Sequence, residues 1–320
     1  MALFRKLTFV SLGATIVLVA IGGLVRATKS GLGCGTDWPD CGGKLVPSLA
    51  TRAEVVEFSH RLTAMVVGLL IAWLAVVAPR RVADRRIKRT SLAALGLVIF
   101  QALLGAAVVK AELERLVVVA HLVAAMSLLA LLVYLAGMVT ARATGLDGAT
   151  DASLSRRVMW GAAGILALLV VGSLASTRDI GGSWPLVDGK LVPDLGVETY
   201  ALHWLHRVLA GVVGIIVFTV AARVIRRKRE MPVAARFAHA AAGLFGVEIL
   251  VGAANLWTDQ NSVVVALHLT VAALIWASFA AMATLTHPSV RTAPAPAVGR
   301  VPAVAPAAGS AGALAEKSGS

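Results

Sequence analysis

The chemistry in this sequence gathers on four histidines that fall into two pairs at matching positions, His60 with His121 and His206 with His268. His60-Arg61-Leu62 returns as His206-Arg207-Val208 after 146 positions, and His121-Leu122 returns as His268-Leu269 after 147. Each lies some five to eight residues into an apolar run, which at the rise of an α-helix is about 7–12 Å below the end of that run. A lone imidazole in an apolar helix is commonly a packed residue that has found a hydrogen bond. Two facing imidazoles at one depth are how a four-helix bundle ligates a haem iron from both sides, the macrocycle supplying the other four ligands. Zinc or copper wants three or four close nitrogen or sulfur ligands, and each half offers one histidine pair with few other candidates. Gly68, Gly105, Gly211, Gly214 and Gly252 stand where they leave space for a flat ring or simply let helices approach. His203, one turn before His206, could compete for the iron, but its counterpart in the first half is Glu57. His239 and His287 have no repeat partner and read as packing residues.

The elements that must position these side chains are membrane helices. With 58% hydrophobic and 15% charged residues and a mean hydropathy of +0.83, the chain has too little polar surface for a soluble globule. Apolar stretches of spanning length run over 7–25, 54–78, 91–109, 116–139, 158–175, 199–222, 237–256 and 263–285. The first reads as a retained helix and not a cleaved leader, because it has full spanning length and a match in the second half. The formal charge of +13 sits in short clusters between apolar runs, which excludes nucleic acid as the partner. Arg80 to Arg89, Arg142 to Arg157 and Arg223 to Arg236 fall on the same side as Arg5 and Lys6, so both termini are expected in the cytoplasm. From His287 the chain is Ala, Pro, Gly and Ser without periodicity, the composition of a disordered tail.

Repetition extends beyond the histidines. Trp38-Pro39 and Lys44-Leu45-Val46-Pro47 recur as Trp184-Pro185 and Lys190-Leu191-Val192-Pro193, and Leu104-Gly105-Ala106 as Val251-Gly252-Ala253. Each half has an even number of crossings, so both enter the membrane from one side as parallel repeats. The expected fold is an all-α integral membrane protein of eight transmembrane helices in two tandem four-helix bundles. Residues 1–142 would form the first bundle, 143–286 the second and 287–320 the cytoplasmic tail. The histidines then lie toward the outer face.

Three further features bear on the site, two of which, Glu57 and the cysteine pair, occur only in the first half. Glu57 shares a helix face with His60, three residues away. A carboxylate near the membrane is costly unless paired or useful, and Glu57 could exchange protons with a substrate; alternatively it sits at the wet interface and favours the helix start. Arg61 and Arg207 each follow a histidine, where they could pair with haem propionates or snorkel to the outer surface. Cys34 and Cys41, the only cysteines, lie in an outward loop where a disulfide is permitted. Such a bridge would either staple the loop over a site or exchange with a partner thiol.

Glu57-Phe58-Ser59-His60-Arg61, the histidines His121, His206 and His268, the Cys34 to Cys41 loop and the eight-helix duplication together make the chain resemble the heme A synthase family over about residues 5–285. The resemblance implies oxidation of a methyl group of haem O to a formyl group, by successive hydroxylations and loss of water, giving haem A for terminal oxidases. It implies that His60 and His121 hold the substrate haem O, that His206 and His268 hold haem B as an electron-transfer cofactor, and that Glu57 is the essential carboxylate. It also implies a haem O synthase as donor of the substrate and an electron donor such as a quinol or a ferredoxin-like protein. Membrane lipid is the surrounding partner, and a homo-oligomer is compatible with everything above. Two rival readings are a dihaem electron carrier with equivalent halves, against which Glu57 speaks, and an outward-facing thiol oxidoreductase, for which a second cysteine pair is missing.

Overall fold

Each apolar run becomes a helix longer than the run itself, because the helix continues past the hydrocarbon core into the polar interface. In the computed structural model these are α1 (Ala2–Ala27), α2 (Arg52–Arg81), α3 (Arg85–Lys110), α4 (Arg115–Thr144), α5 (Ala152–Ala175), α6 (Glu198–Arg226), α7 (Pro232–Trp257) and α8 (Ser262–Thr286). The structure describes residues 1–144, 151–175 and 186–287. The expected tail beyond His287, together with Arg178, Trp184-Pro185 and the side chain of Arg142, lies outside the described residues.

Helix starts are set by short polar side chains that satisfy backbone donors left open in the first turn. Thr51 accepts from the N–H of Glu54 at 3.2 Å, Asp84 from that of Arg86 at 2.7 Å, and Asn261 from that of Val263 at 3.0 Å. All eight helices are long and apolar enough to cross a bilayer. Leu69, Trp73, Leu103, Ile215 and Leu250 stand exposed on them, an arrangement that water would penalise by about 25 cal/mol per Å² and lipid does not. The chain is a multi-pass, all-α membrane protein.

α1 packs against α2 and α4, as α3 does; α5 packs against α6 and α8, as α7 does. Contacts between these two sets run through α1 with α8, α4 with α8 and α4 with α5. Trp276 on α8 donates its indole N–H to the Met126 carbonyl of α4 at 2.9 Å, and so fastens the sets together. Small residues let the helices close up where no hydrophobic force drives them together in lipid. A Cβ on Gly161 would lie 2.6 Å from the Phe279 ring, and one on Gly137 2.6 Å from Thr284.

Large, fully buried side chains, among them Phe4, Ile71, Leu74, Leu132, Met282 and Phe279, all lie on the side of the histidines away from the Cys34–Cys41 loop. One apolar cluster joins α1 to α4 through Phe4, Ile71, Leu74 and Leu132, and a second joins α4 to α8 through Met126, Val217, Phe245 and Phe279. That end is a packed scaffold. It holds the helices in register so that the histidine level, nearer the loop end, can be shaped by a few specific contacts.

Candidate functional site

His60 stands eight residues into α2, His121 six into α4, His206 eight into α6 and His268 six into α8. With 1.5 Å of rise per residue, all four lie within about 9–12 Å of the loop end of their helices. Each imidazole packs against a glycine on the preceding helix. A Cβ on Gly22 would lie 3.3 Å from Nε2 of His60, one on Gly105 3.3 Å from Cε1 of His121, one on Gly172 2.8 Å from Cε1 of His206, and one on Gly252 3.3 Å from Cε1 of His268. Four glycines thus form the seats of four histidines. Gly105 and Gly252 do so as two of the seam glycines anticipated above, whereas Gly214 faces the Phe245 ring and Gly68 and Gly211 have nothing within 4 Å of a Cβ.

The rings of His206 and His268 have centroids 6.4 Å apart and planes inclined at 79°. Two imidazoles gripping one iron through bonds of about 2 Å, with about 1 Å from each ring nitrogen to its ring centre, place their centroids roughly 6 Å apart. The separation of this pair is thus that of two imidazoles with room for one metal ion between them. His60 and His121 stand at the matching level on α2 and α4. Among the described residues, no three His, Cys, Asp or Glu side chains converge as a bare metal ion would require. His203 is partly buried beside His206. His239 turns its Nδ1 to the carbonyl of Ala235 at 2.7 Å, the local bond of a packing residue.

Two ligand candidates have helical neighbours that the sequence reading passed over. Nδ1 of His268 lies 3.1 Å from Oε1 of Glu248 on α7. Nε2 of His121 lies 3.2 Å from the amide nitrogen of Gln101 on α3, which also donates to the His121 carbonyl at 3.1 Å. Gln101 and Glu248 are 147 positions apart, the same shift that relates His121 to His268. That shift was the available signal, hidden by the change of residue type.

Glu57 is 4% exposed, so it is not a wet helix-start residue. Its Oε2 accepts from the backbone N–H of Cys34 at 2.7 Å, and its Oε1 accepts from Arg61 Nε at 3.1 Å and Nη2 at 2.5 Å. Arg61 Nη1 reaches the carbonyls of Asp37 at 2.8 Å and Asp40 at 2.5 Å. Arg61 is thus directed at Glu57 and the loop, and Arg207 makes the equivalent bond to the carbonyl of Leu186. Asp40 and Leu186 are themselves 146 apart. Both guanidinium groups clamp the loop that precedes their helix.

Cys34 and Cys41 form a disulfide with Cα atoms 4.5 Å apart, and both residues are buried. Cys41 and Lys44 exchange backbone hydrogen bonds at 2.9 and 3.2 Å, as Val187 and Lys190 do at 3.0 Å. Gly33 brings this loop onto the first turn of α2, where a Cβ would come within 2.4 Å of the Ala53 backbone. Disulfide, ion pair and close approach together seat the loop on the first turns of α2, against Ala53, Glu57 and Arg61.

The fold and the site define a class, helical membrane proteins with histidines paired at one level of a duplicated helix bundle. The chain belongs to the COX15-CtaA family, described as cytochrome oxidase assembly protein, whose sequence model matches residues 5–280. It is 31% identical to the heme A synthase of Exiguobacterium sibiricum over 65% of this chain and 71% of that protein. It is 35% identical to the heme A synthase of Symbiobacterium thermophilum over 67% of this chain and 74% of that one. With the heme A synthase of Staphylococcus carnosus it shares 28% identity over 82% and 88% of the two chains.

Proposed function

We propose that this protein is a heme A synthase, a membrane oxidoreductase that converts a methyl group of haem O to a formyl group for cytochrome oxidase assembly. The observation that carries the reading is the set of four glycine-seated histidines at one level in a chain of this family. The helices act as two tandem, parallel four-helix bundles, 1–142 and 143–286, an arrangement supported by the repeated neighbour pattern of α1–α4 and α5–α8. Positive loop charge favours cytoplasmic termini and an outward-facing histidine level.

In this reading His60 and His121 bind the substrate haem O, and His206 and His268 retain haem B. Haem B, when bound, supplies one-electron transfer. The chain's own residues do the rest. Gly22, Gly105, Gly172 and Gly252 fix the imidazole positions. Glu57, one turn from His60, is held in place by Arg61 and the Cys34 N–H, which suits it to exchange a proton with the substrate or its hydroxylated form. Arg61 and Arg207 hold the loops over the two sites and reach a propionate only with donors left over from that work. The buried disulfide staples the first loop in place. A haem O synthase delivering substrate and a quinol or ferredoxin-like donor of electrons complete the pathway.

The asymmetry of the two halves separates this reading from a symmetric dihaem carrier. Glu57, its ion pair and the disulfide occur only in the first half. Expression with a haem O supply, followed by chromatography of the extracted haems, tests it. The wild type should yield haem A, and Glu57→Gln should accumulate haem O or a hydroxylated haem. Undiminished haem A in that variant removes Glu57 from the reaction, and absence of haem A from the wild type removes the function.

A further inference from the structure

We infer that Gln101 and Glu248 assign the two histidine pairs to different tasks, Glu248 holding His268 for permanent ligation and Gln101 giving His121 an alternative partner that lets its haem be exchanged. The inference rests on the proposal that haem O passes through the first half while haem B stays in the second. A synthase needs both behaviours from one duplicated scaffold, since its substrate must leave as product and its cofactor must not.

The geometry differs at the two sites in the way this requires. At His268, Oε1 of Glu248 lies 3.1 Å from Nδ1, within ion-pair range but without the alignment of a hydrogen bond. A carboxylate beside Nδ1 favours the ring proton on that nitrogen, keeps the Nε2 lone pair outward and makes the ring a more basic ligand. At His121, the contact falls on the other nitrogen. Gln101 approaches Nε2 through its amide nitrogen, at 3.2 Å, and the same nitrogen donates to the His121 carbonyl at 3.1 Å. An amide nitrogen only donates, so Nε2 must accept and the ring proton sits on Nδ1. Neither Nδ1 is hydrogen-bonded among the described residues, so the two sites differ in the carboxylate 3.1 Å from Nδ1 of His268 and the amide on Nε2 of His121.

The consequences are opposite. Glu248 places a negative charge behind the ligand, whereas Gln101 occupies the lone pair that an iron would need and brings no charge to the ring. When haem departs, the Gln101 amide caps His121, so release exposes no bare acceptor in the membrane. Neither residue touches reacting atoms; both are positioning residues.

The test uses the full-length protein purified with its haem and challenged with excess apomyoglobin as a haem scavenger, the extracted haems being followed separately by chromatography. Glu248→Gln should lose haem B about 10–100-fold faster than wild type and show a raised haem B midpoint potential, with Glu248→Asp recovering part of both. Gln101→Leu should release first-half haem about two- to tenfold more slowly, the worth of one competing hydrogen bond. That gain in retention cannot arise from misfolding. Wild-type haem B loss and potential in Glu248→Gln, or unchanged or faster first-half release in Gln101→Leu, overturns the inference. His268→Ala separates this from failure of the underlying reading: haem B retained in that variant sinks the two-site proposal itself, whereas haem B lost there but kept at the wild-type rate in Glu248→Gln sinks only the role of Glu248.

Discussion

Gly172→Ala is the sharpest perturbation that the histidine seats offer. An added Cβ would lie 2.8 Å from Cε1 and 3.1 Å from Nδ1 of His206, whereas the same change at Gly22, Gly105 or Gly252 brings its nearest contact only to 3.3 Å. Ordinary contact begins near 3.4 Å, so the His206 ring must retreat by about 0.6 Å and the other three rings by about a tenth of an ångström. His206 cannot retreat freely, because its ring already faces His268 at 6.4 Å between centroids. Overpacking of this kind costs about 1–3 kcal/mol, equivalent to roughly a five- to 150-fold loss of affinity if it is relieved by moving His206 off the haem axis. The assay is haem B retained per purified chain under a scavenger challenge, across the four Gly→Ala variants. Gly172→Ala should fall well below the rest, which should stay within a few-fold of wild type. Retention in Gly172→Ala equal to wild type, or a larger loss in Gly22→Ala, refutes the seating argument.

Arg61→Leu should destabilise the protein by about 3–5 kcal/mol, because it strands the buried Glu57 carboxylate; Arg207→Leu, which breaks a bond to a loop carbonyl, should cost less, and thermal unfolding in detergent ranks the two. Asp151 caps α5, accepting from the N–H of Leu154 at 3.0 Å and from Ser153 at 2.7 Å, and pairs with Arg227 at 2.5 Å. The Leu154 N–H, then Ser153 and Arg227, hold its carboxyl well below the usual carboxylate range. A depressed folded value gives stability that is present above the unfolded value near 3.9 and is lost only as pH falls toward the folded one. Melting temperature should therefore show no Asp151-dependent change between pH 8 and about 5, and Asp151→Asn should remove an acid limb confined to lower pH. A wild-type loss centred near neutral pH that disappears in Asp151→Asn contradicts this assignment.

The eight crossings are legible in the sequence because lipid demands an apolar run of fixed length, and the histidine level is legible because duplication repeats it at a nearly constant shift. What hides is whatever depends on chain folding or on a broken register. Gly22 and Gly172 are seats of equivalent histidines yet lie 150 apart instead of 146, because the stretch from seat to histidine is four residues shorter in the second half. A search at one fixed shift misses them. The Glu57–Arg61 pair is visible as an i,i+4 spacing, but His60 between them draws attention to itself. The Cys34 N–H that completes the site is brought there only by the folded loop. Gln101 and Glu248 escape notice because the repeat keeps their place and changes their chemistry.

The central claim is that four imidazoles on four glycines form two haem sites of unequal purpose. Haem content and identity, measured on the purified protein and on His60→Ala, His121→Ala, His206→Ala and His268→Ala, test it most directly. Haem B should disappear in the last two and persist in the first two, which should instead lose haem O and haem A. Haem B unaffected by either second-half substitution, or lost equally from all four, contradicts it.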